Sequence, residues 1–277
     1  MNKEKFAGEF DLVLAKQNNQ TVITEKKFEG LIKISPIIHL DSEKISTFFI
    51  VGLGGGYVEG EKYNFKITCK KDSRAIITTQ ACTKVYKCEH GGITNQNTII
   101  KLDNNSVLEY ITDSVILYKD ANYKLVIIIY MKNNSTLIYT DGITSGWSKN
   151  GSKFQYSRVQ FETKVYMDDK IVLLDNLIVN PKENNVNELG YFEGYENFGT
   201  LLVINPNITQ EVIESIRKIL SDINLDVNYG ISQIECNGFV LRVLGNLTQE
   251  VNKVIGIVHN YIRKEFLNSR ELFVRKY

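Results

Sequence analysis

The stretch Val51-Gly-Leu-Gly-Gly-Gly-Tyr-Val-Glu-Gly-Glu-Lys-Tyr-Asn-Phe-Lys-Ile-Thr-Cys69 places a run of glycines shortly before a strictly alternating segment. From Phe65 to Cys69 every second residue is apolar, which is the period of a half-buried β-strand. Glycines permit positive φ and a close approach of another backbone segment. The stretch therefore predicts a glycine-rich bend that leads into a strand.

The same three glycines, Gly54, Gly55 and Gly56, would also suit a loop that cradles phosphate. The dinucleotide-binding fingerprint, however, requires a helix directly after its glycines, and the Walker type requires Gly-Lys-Ser/Thr. Here Tyr57-Val58 continues in an extended pattern. A bend between strands is therefore favoured over a nucleotide site.

Similar short runs fill most of the first 180 residues. They are rich in Ile, Val, Thr, Tyr and Phe and are separated by Gly, Asn and Asp, as expected for strands and turns. Their regular spacing predicts a sandwich, a barrel or a stack of sheets. The predicted extended runs are Phe10–Leu14, Thr21–Ile23, Leu31–Ile34, Lys44–Val51, Tyr63–Cys69, Ala75–Thr79, Thr98–Leu102, Leu108–Thr112, Lys124–Met131, Thr136–Tyr139, Phe154–Val165 and Ile171–Val179.

The hydrophobic period changes in the last third of the chain. Apolar residues at every third or fourth position predict one helix over about 208–223 and a second over about 248–267. Asn207 and Asn246 are each followed three residues later by Gln, which predicts that both cap a helix N-terminus. A hairpin that turns at Asn237-Gly238 is predicted between the helices.

No low-complexity linker divides the chain, although its pattern changes near residue 200. We therefore expect a β-rich body over 1–200 and a strand–helix–hairpin–helix region over 201–277. The second region is expected to pack on the first as part of a single domain.

The charge balance argues against partners that are recognised by a strong overall field. Lys+Arg is 33 and Asp+Glu is 32, giving a formal charge of +1, so we expect neither nucleic acid nor a membrane surface as a partner. Residues 1–10 lack the apolar segment of a secretory signal, which predicts a cytoplasmic protein. The four cysteines are then expected to be thiols.

Candidate metal ligands are sparse. Cys82, Cys88 and His90 follow one another closely, but structural zinc takes four ligands at paired spacings. We therefore expect no tightly bound metal, with Cys88 and His90 as weak candidates and Cys82 in packing. Glu59 and Glu61 would point the same way from a strand, where they could contact a cation, a basic partner or only solvent.

No catalytic residue is predicted. The chain has three histidines and neither a Gly-x-Ser-x-Gly elbow nor a catalytic cysteine signature, so we do not expect an enzyme. A hydrolase on a β scaffold stays an alternative, because two carboxylates held apart in space are enough for that chemistry. A β-rich assembly module without a metal role is another. The aromatic loop Tyr191–Gly199 suits either a protein interface or packing.

The stretch Thr78-Thr-Gln-Ala-Cys-Thr-Lys-Val-Tyr86 resembles a signature of the UreD (UreH) family of urease accessory proteins, Thr-Thr-Gln-x-x-Thr-Lys-x-Tyr. Gln80, Thr83, Lys84 and Tyr86 match its polar positions. Three further stretches resemble family motifs in the same order along the chain. They are Tyr57–Glu61 with the preceding glycines, Leu108–Ala121 and Asp141–Phe154, with Glu61, Thr112, Trp147 and Ser152 as departures from the usual Asp, Pro, Arg and Glu.

This resemblance implies a mainly β, α+β fold, in which a helix-like stack of β-sheets carries two C-terminal α-helices. It also implies a non-catalytic chaperone that is required for nickel insertion into apo-urease. The implied partners are a UreF-type accessory protein, a UreG-type GTPase that carries Ni²⁺, and apo-urease subunits. The chain would hold no cofactor of its own, and Ni²⁺ would be in transit through an internal passage.

Within that picture, Glu59 and Glu61 are predicted to line or guard the nickel passage. The family-motif residues are predicted to hold the local architecture or to contact a partner. They are Gly54, Gly55, Gly56, Gln80, Thr83, Lys84 and Tyr86.

Overall fold

The structure, a computed structural model, describes residues 5–40 and 43–274. About 49% of the chain is strand and 12% is helix, which confirms the mainly β prediction. The strands are β1 Gly8–Gln17, β2 Gln20–Gly30, β3 Ile32–Ile34, β4 Ile38–His39, β5 Ser46–Gly52, β6 Lys62–Cys69, β7 Arg74–Gln80, β8 Lys84–Val85, β9 Thr94–Leu102, β10 Val107–Ile111, β11 Ile116–Leu117, β12 Asn122–Met131, β13 Thr136–Thr144, β14 Arg158–Met167, β15 Lys170–Val179, β16 Asn197–Ile204, β17 Val227–Gln233 and β18 Gly238–Gly245. The helices are α1 Gln210–Ser221 and α2 Thr248–Phe266.

The chain coils between two large sheets. The first sheet has the strand order β15-β14-β12-β9-β6-β1-β2, and the second has the order β17-β18-β16-β13-β10-β7-β5-β3, with β4 also paired to β5. From β5 to β14 the large-sheet strands alternate between the two sheets, so each turn of the coil adds a parallel neighbour to both. This is the predicted helix-like stack of sheets, and it is confirmed.

The main core lies between the two sheets. Alternate residues of each strand face inward, as in β12, where Tyr123, Leu125, Ile127 and Ile129 are all buried. The outer face of the second sheet is also covered, because the apolar faces of α1 and α2 pack on it. Within the described residues, neither helix is long and apolar enough to cross a bilayer.

The two helices lie where the hydrophobic period predicts them, but the predicted caps are wrong. The residues at the cap positions are Thr209 and Leu247, and neither forms a side-chain capping hydrogen bond. Both asparagines lie too early in the chain and are engaged elsewhere. The backbone N–H of Asn207 donates to Asn205 Oδ1, and the Asn246 side chain donates to Asp226.

Two element boundaries differ from the sequence pattern. The predicted run from Phe154 enters a strand only at Arg158, because Phe154 has a positive φ of 55° that interrupts extended backbone. The division expected at residue 200 falls inside β16, which joins β13 to β18 in the second sheet.

The predicted hairpin is confirmed as β17 and β18, which pair antiparallel on either side of Asn237-Gly238. The single-domain arrangement stays a prediction.

Candidate functional site: a tyrosine-lined cavity between the sheets

The structure brings the glycine bend and the Thr-Thr-Gln signature into direct contact. Backbone hydrogen bonds run from Tyr57 N–H to Lys84 O (2.8 Å) and from Tyr86 N–H to Tyr57 O (2.9 Å). The Tyr86 hydroxyl donates to Gly55 O at 2.9 Å. Thr83 O accepts from the backbone N–H of Ile116, which extends this small sheet to β11. The bend therefore rests on the two-stranded sheet formed by β8 and β11.

Two glycines of the bend differ sharply in the space around them, which gives a matched test. A Cβ added at Gly56 would lie 2.7 Å from Lys84 O, whereas one added at Gly54 would have its nearest neighbours at 3.9 Å. Neither glycine has a positive φ, so the effect of alanine at each position depends on the room available for its Cβ. We expect Gly56→Ala to lower the free energy of unfolding by about 1–3 kcal/mol, because the bend must move away from β8.

The measurement is chemical denaturation of Gly56→Ala, with Gly54→Ala as the control that should stay within about 0.5 kcal/mol of the parent. Equal stabilities for the two variants would contradict the close contact between the bend and β8.

The segment that carries Glu59 and Glu61 is a turn rather than a strand, so the two carboxylates do not share one face. Glu59 accepts the backbone N–H groups of Glu89, His90 and Gly92 at 2.9, 2.9 and 2.6 Å. The bond from Gly92, followed by those from His90 and Glu89, lowers the pKa of Glu59. Glu61 accepts from Val58 N–H and the Tyr63 hydroxyl. Both carboxylates hold the local loops, and their role in ion passage stays a prediction.

The weak metal candidates lie on the same loop. The side chain of His90 is 87% exposed, with Nδ1 3.1 Å from Glu59 Oε2. The Cys88 thiol is half-buried near the backbone carbonyl of Asn122. Cys82 borders the cavity described below, and none of the four cysteines forms a disulfide. Among residues 5–40 and 43–274, no group of three or more His, Cys, Asp and Glu side chains is placed to hold a metal ion.

A cavity of about 290 Å³ opens beside the motif residues and extends between the two sheets. Gly54, Gly55, Gly56, Gln80, Thr83 and Lys84 lie at its wall, so the family motif forms one end of it. Five of the lining residues are tyrosines, four from strands of the two sheets and one from the end of the glycine bend. They are Tyr57, Tyr63, Tyr110, Tyr123 and Tyr139.

The buried wall of the cavity carries polar groups among its apolar side chains. The hydroxyls of Tyr57 and Tyr123 both lie 3.1 Å from the Gln96 side-chain oxygen. Burial raises the pKa of Tyr57, Tyr110, Tyr123 and Tyr139. The hydroxyls therefore stay protonated at neutral pH.

A half-buried carboxylate, Asp141, lies in the cavity wall on the inward face of β13. The Tyr139 hydroxyl donates to Asp141 Oδ2 at 2.8 Å. Burial raises the pKa of Asp141 to about 6, although hydrogen bonds from Tyr139 and Thr200 act in the opposite direction. Asp113, which is hydrogen-bonded to Thr79 at 2.9 Å, is a second carboxylate that borders the cavity.

Asp141 was not predicted as a site residue from the sequence. One local signal was present, because Asp141 lies two positions after Tyr139 and two before Ile143 and so occupies an inward-facing position of an apolar strand. Placing a charged residue at such a position costs free energy, because the charge is partly removed from water. Such a residue is therefore a candidate for a functional role.

Comparison with known proteins gives a consistent result across the whole chain. A sequence profile described as "UreD urease accessory protein" matches residues 7–276. The chain belongs to the UreD family. The resemblance carried by the Thr-Thr-Gln signature is thereby confirmed.

Relatives of this UreD-family chain cover it almost completely. "Urease accessory protein UreD" of Streptococcus salivarius (strain 57.I) is 37% identical over 273 residues, which span 99% of this chain and 98% of that protein. The protein of the same name from Staphylococcus aureus (strain bovine RF122 / ET3-1) is 31% identical over 279 residues, the full length of both. Both relatives are named as accessory proteins rather than as enzymes.

Proposed function

We propose that the chain acts in urease maturation as a scaffold that conducts Ni²⁺ to apo-urease through its interior. In this proposal the chain joins a UreF-type accessory protein and a UreG-type GTPase in the cytoplasm, and GTP hydrolysis by the GTPase releases the ion. Family membership supports the role in urease maturation. The partners and the passage are proposals that extend it.

The observation that carries the proposal is a cavity that begins at the family motif, has polar groups among its apolar side chains and holds the half-buried carboxylate Asp141. Tyrosine hydroxyls, the Gln96 amide and carboxylates offer many hard but individually weak contacts to a hydrated cation. Such contacts suit transit, because a tight cage of thiolates and imidazoles would retain the ion. The cavity is thus better suited to passing a metal than to storing it.

Glu59 and Glu61 stay predicted passage residues, with a narrower part to play. Their carboxylates fix the loops beside the motif and do not border the cavity. We propose that they guard the outer side of the entrance by holding these loops in place. Gln80, Thr83 and Lys84 border the cavity directly and are proposed as the partner-facing rim.

The test is Asp141→Asn, which removes one negative charge from the cavity and keeps the size of the side chain. We expect activation of apo-urease at limiting nickel to fall roughly tenfold, as is typical when a group that tunes a metal contact is lost. Copurification with the UreF-type partner should be unchanged. The measurement is urease activity after co-expression, at several nickel concentrations.

The matched control is Asp11→Asn, which removes a carboxylate from the outer face of β1, away from the cavity. It should activate urease as the parent does. Unchanged activation by Asp141→Asn would refute the passage and favour an assembly role without metal. Turnover of a small substrate by the isolated chain would instead support a carboxylate-based hydrolase.

A further inference from the structure

A groove of about 520 Å³ lies on the far side of the cavity, where the first sheet ends at β15. The second sheet extends beyond this edge through β18 and β17, so the two sheets no longer cover each other here. Tyr191, Phe198 and Tyr229 line the groove. Phe192 of the same aromatic loop is buried, and its ring centroid lies 4.7 Å from that of Phe154. The loop therefore packs against the interior and also lines the groove.

One ion pair crosses between the two sheets at this edge. Arg242 of β18 places Nη2 2.6 Å from Oδ1 of Asp175 on β15. The Arg242 side chain is 52% exposed and that of Asp175 is 26% exposed, so the pair lies at the boundary between the interior and the groove.

Strand register places this ion pair next to Asp141. In the antiparallel pairs of the second sheet, Asp141 is opposite Thr200, and Thr200 is opposite Arg242. Residues directly opposite each other point to the same face, so the three side chains form one row on the inner face. Two strand spacings separate the backbones of Asp141 and Arg242 by about 10 Å. The row therefore leads from the cavity wall to the wall of the groove.

We propose that Arg242 controls the passage of cations between the cavity and the groove. Paired with Asp175, its guanidinium keeps a fixed positive charge between the two spaces and closes the inner end of the cavity to Ni²⁺. When Arg242 turns into the groove, the carboxylates of Asp141 and Asp175 are left as successive oxygen ligands for the ion. This inference rests on the proposed function and adds to it an exit and a means of control.

The physical basis is charge and room to move. A guanidinium carries a positive charge, which opposes the entry of another cation. An ion held at Asp141 would repel the guanidinium more strongly in this partly enclosed region than in bulk water. The groove gives the half-exposed side chain a space into which it can turn.

The simpler alternative is that the ion pair only fastens the open edges of the two sheets. The two explanations differ in what Asp141 experiences once the pair is broken. If the ion pair only stabilises the sheet edges, breaking it lowers the free energy of unfolding but leaves Asp141 shielded from solvent in the folded protein. If Arg242 blocks the path between the cavity and the groove, replacing it exposes Asp141 to solutes that enter from the groove.

The experiment measures labelling of Asp141 by a water-soluble carbodiimide with glycinamide, resolved by residue through mass spectrometry, on the full-length chain well below its unfolding temperature. We expect Arg242→Met to raise labelling of Asp141 several-fold and Arg242→Lys to stay close to the parent. Arg158→Met, an exposed arginine on the outer face of β14, is the control and should leave labelling unchanged. Activation of apo-urease at limiting nickel should become faster with Arg242→Met.

Equal labelling of Asp141 in Arg242→Met and in the parent would overturn the proposal. The ion pair would then have only a stabilising role at the sheet edges. Should Arg242→Met fail to fold, Asp175→Asn breaks the same pair and decides the question by the same readout. Failure of the passage itself would be seen separately, as normal urease activation by Asp141→Asn. Normal activation by that variant together with raised labelling in Arg242→Met would retain a gated cavity without a nickel route.

Discussion

Replacing Glu109 by Ala is expected to lower the free energy of unfolding by about 3–5 kcal/mol, the usual cost of removing one partner from a buried ion pair. Glu109 lies on β10 and faces α2, where its side chain is fully buried. Nη1 of Arg263 donates to both carboxylate oxygens, at 2.6 and 2.5 Å, and Nε2 of His259 lies 2.7 Å from Oε2. Without Glu109, the buried guanidinium of Arg263 would lose the carboxylate that it contacts.

Urea denaturation of Glu109→Ala at neutral pH measures this effect. Glu214→Ala is the control, because Glu214 also pairs with an arginine but on the exposed surface of α1, where such pairs contribute about 0–1 kcal/mol. A double change of Glu109 and Arg263 to leucine should recover much of the loss, since it removes both buried charges. A loss below about 1 kcal/mol in Glu109→Ala would show that α2 is held by its apolar face alone.

The same ion pair predicts how the protein responds to acid. Burial acts to raise the pKa of Glu109, but the hydrogen bond from His259 and the charges of His259, Arg263 and Arg74 outweigh it and lower this pKa to about 2. A carboxyl whose pKa is lower in the folded than in the unfolded state adds stability above the unfolded pKa. That contribution is lost as the pH falls through about 4 towards 2.

The second large effect is a pH dependence with the opposite sign, centred on Asp141. Burial raises its pKa in the folded protein to about 6, against an ordinary value of about 3.9. The folded state therefore binds more protons than the unfolded state between these values, and stability falls as the pH rises from about 4 to 6. We expect the parent to lose up to about 3 kcal/mol relative to Asp141→Asn over this interval.

Denaturant midpoints of the parent and of Asp141→Asn, measured from pH 4 to 7, test this expectation. The two stability curves should diverge as the pH rises and run parallel above about pH 6.5, whereas Asp11→Asn should track the parent throughout. Parallel curves over the whole range would mean that Asp141 is ionised as readily in the fold as in water. In that case, the expected effect of burial on the pKa of Asp141 would be wrong, although the negative charge of Asp141 at neutral pH would remain.

The type and the order of the elements could be predicted from local sequence patterns. Strict alternation in Phe65–Cys69 and in the runs like it was enough to predict strands, and the change of period after residue 200 was enough to predict two helices. The Thr-Thr-Gln signature was enough to indicate the family, because its matching residues lie within nine positions of the chain. Each of these features depends on residues that are close together in the chain, so it can be read from the sequence.

Contacts between residues that are far apart in the chain could not be predicted in this way. Glu109 and Arg263 are 154 positions apart, and Asp141, Thr200 and Arg242 lie on three strands whose register no local pattern specifies. The same limit explains the misplaced caps, since nearby loop residues rather than helix ends engage Asn207 and Asn246. Strand register and the stacking of the coil arise from the packing of the whole inner face, and that packing exists only once the two sheets have come together.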